Sequence, residues 1–128
     1  MAVYWHEQSQ WPAIQWKKFS ATGAYRTAFD KFLELIRDKH SIVAITDFEN
    51  LTVLGSDDQV WVRDHWLPSA ANAGLRHLGV IMPKENLAKA SLLKGLRYTD
   101  ASRLEIGYFQ SRVVCTQWIR PLSRRFDN

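Results

Sequence analysis

The sequence predicts an α/β domain with a mostly parallel sheet, and two apolar runs joined by a helical pattern are the main reason. The runs cover 41–47 and 78–82, and each is apolar almost throughout, as strands buried on both faces are. Residues 56–74 between them carry the helical pattern. Such a unit places its two strands parallel, with a right-handed crossover. With 128 residues, the chain is predicted to form one domain over 1–128.

Two short strands are predicted before this unit, at 3–6 and 13–19. Apolar and polar residues alternate in both. The connection is polar and ends in Pro12, which suits a turn between antiparallel neighbours. The first strand is therefore expected to lie antiparallel to the rest of the sheet.

Residues 23–39 are predicted to form a helix, with Thr22 as its N-cap and basic residues in its last turn. Apolar residues recur there at intervals of three and four, which makes one buried stripe. The stripe consists of Tyr25, Ala28, Phe29, Phe32, Leu33 and Ile36.

The helix in the central unit has clear signals at both ends. Ser56 followed by Gln59 is the capping-box pattern, and Gly74 suits the left-handed position that ends a helix. Pro68 lies well inside the helix, where it removes the hydrogen bond to the carbonyl of Asp64. A bend of the helix axis is expected there.

The rest of the chain adds a helix, an edge strand and a last helix. The predicted helices begin at Pro83 and at about Ser111, and the strand covers 104–108. The full prediction is a five-stranded, mostly parallel sheet with an antiparallel first strand and about four helices.

Composition, run lengths and the N-terminal residues indicate the cellular compartment of the protein. Apolar residues make up 46% and charged residues 23%, as in ordinary globular domains. No run has the length of a membrane span, and the N-terminus lacks the features of an export signal. The single Cys115 suits a reducing compartment. We expect a cytoplasmic protein.

Few residues suggest chemistry. Asp47 ends a central strand, where open α/β sheets place their sites. It either binds a ligand or accepts a backbone hydrogen bond from the next loop. The second role is favoured, since Asp at a strand end commonly forms a turn stabilised by that bond. Ser56 is first a helix cap. The histidines and Cys115 lack metal-ligand spacing, and no nucleophile has a base nearby in the sequence. No metal, no cofactor and no enzymatic activity are therefore expected.

The net charge of +4 permits acidic partners without requiring them. The basic residues concentrated in the last third are better explained as solvated helix faces than as a patch for an acidic partner or membrane surface. The six tryptophans are better explained by packing than by stacking on nucleotide bases. Nucleic-acid binding is therefore not expected.

Several short segments resemble the bacterial STAS-like, or SpoIIAA-like, proteins. The likeness extends over about residues 3–122, and it is carried by segments 42–47 (Ile-Val-Ala-Ile-Thr-Asp), 58–61, 66–69, 73–83 and 104–109, with a helix containing Trp118. The resemblance implies a (βα)n superhelix. It also implies a non-enzymatic regulator that binds protein partners, in some members switched by phosphorylation of a serine.

Ser56 stands at the position of that serine. The family's Asp-Ser-Ser-Gly string is absent, and Leu-Gly-Ser-Asp-Asp occupies 54–58 instead. The acids after Ser56 would repel a phosphate, whereas the helix N-terminus would favour it. Asp47, Ser56 and Asp57 are the candidate partner-binding or switch residues.

Two functions are expected from this resemblance. The first is a regulatory module that binds a protein partner or itself, with a homodimer interface at Tyr4, Trp5, Trp11 and Trp16. The alternative is a carrier of a lipid or small apolar ligand, with Trp61 and Trp66 as binding residues beside the bend at Pro68.

Overall fold

A computed structural model describes residues 2–6, 11–16, 24–50, 56–84 and 104–123. These residues form one sheet with strands β1 to β5 in sequence order, at Ala2–His6, Trp11–Gln15, Val43–Asp47, His77–Ile81 and Glu105–Phe109. Strands β2 to β5 are parallel, and β1 is antiparallel to β2. The predicted α/β class is confirmed, and β5 lies at the edge of the described sheet, as expected.

The described helices are α1 at Ala24–Lys39, α2 at Ser56–Trp61, α3 at Leu67–Asn72 and α4 at Arg112–Ser123, with a π turn at Val62–Trp66 between α2 and α3. The helix predicted to begin at Pro83 lies, beyond Lys84, outside the described residues, as does the predicted N-cap Thr22.

Pro12 lies inside β2, so its predicted place in a turn is wrong. It pairs with Trp5 of β1, whereas the pairing of β2 with β3 begins only at Ala13. Proline has no N–H to donate and is tolerated in a strand where one side needs no ladder bond. Pro12 is therefore accommodated where β2 has no paired residue in β3.

The apolar stripe predicted for α1 is buried throughout. After Lys39 the helix ends at His40, which has a left-handed φ of 49°. The Ser41 N–H donates to the Ile36 carbonyl at 3.1 Å, and the His40 N–H donates to Arg37 at 3.2 Å. These two bonds satisfy carbonyls at the helix end, as in a Schellman motif.

Gly74 ends the second helical segment in the same way, and this prediction is confirmed. Its φ is 110°, which disfavours any residue with a Cβ. The Leu75 N–H donates to Ala70 at 3.0 Å and the Gly74 N–H donates to Ala71 at 3.1 Å. The buried Leu75 then leads the chain toward β4.

A π turn precedes Pro68, at the place where the sequence predicts a bend. Pro68 has no N–H for the carbonyl of Asp64, so the regular helical bond cannot form there. In the turn, the Leu67 N–H donates to the carbonyl of Val62, five residues earlier, and not to that of Arg63, four residues earlier. Pro68 then falls in the first turn of α3, where a missing N–H costs little.

The larger apolar core lies between the sheet and the helices α1 to α3. Strand residues on this face include Ile14, Ala44, Leu78 and Val80, all buried. Trp16, just after β2, lies in the same core and is fully buried.

The smaller core lies on the opposite face, beneath α4. It consists of Trp11, Ala13, Val43, Ile45, Ile81, Cys115 and Ile119. Trp11 and Trp16 are therefore both buried within their own chain, on opposite faces of the sheet. They form no exposed surface, so the predicted dimer interface is wrong for these two residues; the side chains of Tyr4 and Trp5 lie outside the described part.

Two neighbouring glycines let α4 approach the sheet closely. Gly79 of β4 pairs with Gly107 of β5. A Cβ at Gly79 would lie 2.5 Å from Cys115 Sγ, and one at Gly107 would lie 3.1 Å from the Trp118 ring. Both distances are shorter than ordinary van der Waals contact, so α4 occupies the space that side chains would need.

Across the described ranges, none of the helices combines the length and the apolar character needed to cross a membrane.

Candidate functional site at the carboxyl edge of the sheet

The carboxyl ends of the parallel strands share one edge of the sheet, where open α/β folds place their sites. We call this the carboxyl edge. It comprises the ends of β3 and β4, the end of β5 and the starts of α2 and α4. Its charged and polar side chains include Asp47, Glu49, Lys84, Ser111 and Arg112.

Asp47 is buried and accepts two hydrogen bonds. Its Oδ1 accepts the Glu49 N–H at 2.9 Å, so the turn predicted at this position is confirmed. Its Oδ2 accepts Nη2 of Arg112 at 2.7 Å. The side chain of Asp47 is 5% exposed and that of Arg112 is 49% exposed. Asp47 therefore joins the end of β3 to the start of α4.

Arg112 is the residue at this edge that the sequence reasoning missed. It is the first residue of α4, where the helix dipole disfavours a positive charge. The carboxylate of Asp47 offsets that unfavourable position. Sixty-five residues separate the two along the chain, so no local pattern signals the pair.

Ser111 begins α4 with a side-chain cap. Its Oγ accepts the N–H of Val114 at 3.3 Å, the bond expected of an N-cap serine. The sequence places the start of this helix at about Ser111, and the structure agrees within one residue.

A second ion pair joins the loops that follow β3 and β4. Lys84 Nζ lies 3.1 Å from Glu49 Oε1, and the Lys84 N–H donates to the Glu49 carbonyl at 3.2 Å. The lysine side chain is mostly exposed, so solvent screens the pair and it contributes little stability.

The start of α2 holds the other two predicted switch residues. Asp57 is exposed in the first turn, whereas the side chain of Ser56 lies outside the described part. Asp58 forms an ion pair with Arg26 at 3.4 Å, and the Arg26 guanidinium lies 5.7 Å from the centre of the Trp61 ring. Among the described contacts, none joins Asp47 to Asp57.

Trp66, predicted as a ligand-binding residue, is part of the larger core. Its ring stacks on Phe32 at 5.4 Å and lies 5.0 Å from Phe29. Its Nε1–H donates to the Phe29 carbonyl at 2.7 Å. Trp61 is half-buried, 6.3 Å from the same Phe29 ring. Protein side chains therefore pack against Trp66, and none of the described contacts favours the apolar-ligand prediction.

Cys115 lies in the smaller core, where it packs against Gly79. Burial and the nearby charge of Asp47 raise the pKa of the Cys115 thiol to about 12. A thiol with such a pKa is a poor nucleophile at neutral pH. Within the described ranges, no three His, Cys, Asp or Glu side chains are grouped as a metal site would need.

We expect Cys115 to make the protein less stable in alkali. Above the ordinary thiol pKa of 9.0 the unfolded chain ionises, whereas the folded thiol keeps its proton up to about 12. Stability contributed by Cys115 is therefore complete below pH 9 and falls as pH rises, by about 1.4 kcal/mol per unit. Urea unfolding at several pH values, compared with the Cys115→Ala variant, measures this slope. Equal slopes in the two proteins would contradict the expectation.

Four large apolar side chains are exposed in the described part, and two of them, Val113 and Val114, are adjacent at the start of α4, on the carboxyl edge. Val113 and Val114, in the first turn of α4, are 66% and 50% exposed. Tyr108, the next-to-last residue of β5, is 42% exposed, and Val60 lies in the short helix α2. Adjacent exposed apolar side chains, as at Val113 and Val114, are typical of a surface that binds another protein.

No protein-family model, no curated protein and no solved structure matches this chain significantly.

Proposed function

We propose that this protein is a non-catalytic, cytoplasmic regulatory module of STAS-like type that binds a protein partner through its carboxyl edge. The observation that carries the proposal is the exposure of Val113 and Val114 beside a set of charged side chains. Protein interfaces commonly have such an apolar centre and a polar rim.

The topology is compatible with the proposed fold. A (βα)n superhelix of SpoIIAA-like type would have strands added in sequence order with helical crossovers, and the order β1 to β5 fits it. In this fold the start of α2 follows the third strand, which is where Ser56 and Asp57 lie. The start of α2 would then be near the partner, and Asp47 would act through Arg112.

The contacts of the chemically reactive groups favour a non-catalytic role. The carboxylate of Asp47 accepts hydrogen bonds from a backbone N–H and from Arg112. The pKa of Cys115 is raised by burial. A general base needs a reachable carboxylate and a nucleophile needs a lowered pKa, and neither group meets its condition.

Site-specific photocrosslinking in the cells that make this protein tests the proposal. A benzophenone side chain at Val113 is expected to give one defined adduct with another protein. The same group at Asp38, exposed near the end of α1, is the control, because this end of α1 lies at the opposite edge of the sheet. The adduct should disappear when Val114→Lys is added. This substitution should change the free energy of unfolding by less than about 0.5 kcal/mol relative to the original chain. Equal adduct patterns from positions 113 and 38 would refute the proposal.

A further inference from the structure

Strand β5 has a neighbour on one side only in the described part of the sheet. Lysine, proline and bulges are three of the features that protect edge strands from pairing with other chains. The five residues Glu105–Phe109 contain neither lysine nor proline, and their register with β4 is continuous. This edge therefore has none of the three protective features.

Two hydrogen bonds fix the direction of the backbone groups in β5. The Glu105 N–H donates to the Arg76 carbonyl at 2.8 Å, and the Phe109 carbonyl accepts the Met82 N–H at 2.8 Å. Glu105 and Phe109 thus direct their backbone groups toward β4. Because direction alternates along a strand, the residues that direct their N–H and C=O away from the sheet are Ile106 and Tyr108.

We propose that two copies of this chain pair through β5, antiparallel, about a two-fold axis at Gly107. Ile106 of each copy then lies opposite Tyr108 of the other, and these two pairs exchange four backbone hydrogen bonds. The result is one continuous sheet through both copies. The residues at the centre of this interface, Ile106 and Tyr108, differ from Val113 and Val114, on which the surface proposed for the partner depends.

The side chains suit this register. Ile106 packs against the larger core, and Tyr108, two residues further along the strand, is on the same face and 42% exposed. Residues directly opposite in antiparallel strands share a face, so each Tyr108 ring would cover the second copy's Ile106. Pairs of an aromatic and a β-branched side chain are favourable across strands.

The position of the charged residue in β5 also suits this register. Glu105 is the single charged residue of β5, and it already lies 3.0 Å from His77. In the proposed register it lies opposite the second copy's Phe109. The two Glu105 residues are then separated by four positions, roughly 13 Å along the strand, which exceeds the screening length in physiological salt. A second copy is favoured over an unrelated peptide because the strand matches itself in this register: each Ile106 is paired with a Tyr108, and the two Glu105 side chains stay apart.

Analytical ultracentrifugation of the full chain tests the proposal. From about 10 μM to about 1 mM, the mean mass is expected to rise from 14.9 kDa toward twice that value, since so small an interface gives a weak dimer. Tyr108→Pro removes an outward N–H but no bond to β4, and should weaken dimerisation at least about tenfold. Tyr108→Phe is the matched control and should dimerise like the original chain.

Amide hydrogen exchange gives a second readout. The N–H groups of Ile106 and Tyr108 are expected to gain at least about tenfold protection over the same concentration range, while that of Gly107 stays unchanged. If circular dichroism shows that Tyr108→Pro is unfolded, Tyr108→Lys replaces it, with the same expected loss of dimer.

Three results would overturn the pairing. The first is a constant mass of 14.9 kDa at every concentration. The second is a folded Tyr108→Pro or Tyr108→Lys variant that dimerises normally. The third is protection of the outward amides only when an unrelated extended peptide is added. Val114→Lys separates the two proposals. In the protein that carries the benzophenone at position 113, it should abolish the crosslinked adduct at the carboxyl edge and leave dimerisation unchanged.

Discussion

Gly79→Ala is expected to destabilise the protein by about 2–3 kcal/mol, a large effect for one added methyl group. The new Cβ would lie 2.5 Å from Cys115 Sγ, with Ile45 and Ile119 also within 4 Å. Cysteine has one short side-chain torsion, so its sulfur cannot move far. Either α4 must shift away from the sheet or β4 must distort.

A second substitution should rescue this variant. Cys115→Ala alone leaves a small cavity and is expected to cost about 1–2 kcal/mol. In the double variant, the methyl group at 79 occupies part of the space left by the sulfur. The combined loss should therefore be at least about 1 kcal/mol smaller than the sum of the single losses.

Urea unfolding of the four proteins in this cycle gives the free energies. Gly107→Ala is the matched control, because it adds the same methyl to the paired residue on the edge strand. Its close neighbours are the rings of Phe109, at 2.8 Å, and Trp118, both half-buried. These rings can turn aside, so a smaller loss is expected. Additive losses at Gly79 and Cys115 would contradict the packing described here.

Arg112→Met is expected to destabilise the protein by about 2–3 kcal/mol, although the arginine is half exposed. The loss arises at Asp47, whose buried carboxylate would lose the cation that pairs with it. Methionine retains most of the apolar stem, so the packing of the arginine changes little.

The same substitution combined with Asp47→Asn should recover part of the loss. Asparagine keeps an acceptor for the Glu49 N–H and carries no charge. Lys84→Met is the control: it removes an ion pair of similar length whose lysine is mostly exposed, and is expected to cost less than about 0.5 kcal/mol. Thermal unfolding at constant pH compares the variants. Equal losses for Arg112→Met and Lys84→Met would show that burial of Asp47 does not matter.

The sequence predicts well the parts of the fold that depend on residues close together in the chain. The stripe of α1, the apolar runs of β3 and β4 and the helix end at Gly74 each depend on residues within a few positions of one another. The turn at Asp47 is equally local, since its acceptor and donor are two residues apart. Such features are readable without knowledge of tertiary contacts.

The parts that the sequence does not predict depend on distant residues. The close approach of α4 at Gly79 and the pairing of Arg112 with Asp47 join segments far apart in the chain. Pro12 suggests a turn, but its tolerance in β2 depends on where β3 begins to pair. The disruption at Pro68 is predictable, whereas its form as a π turn is not. The packing partners of the tryptophans likewise could not be predicted, because they come from distant parts of the chain.

The sequential order of the strands has a consequence for synthesis. Each strand emerging from the ribosome finds its neighbour already made, so the sheet can grow in one direction without waiting for later residues. Helix α4 is translated after all five strands, and until it docks, Val43, Ile45 and Ile81 lack its cover. Nascent chains stalled before residue 112 should therefore be the species that a chaperone recognises.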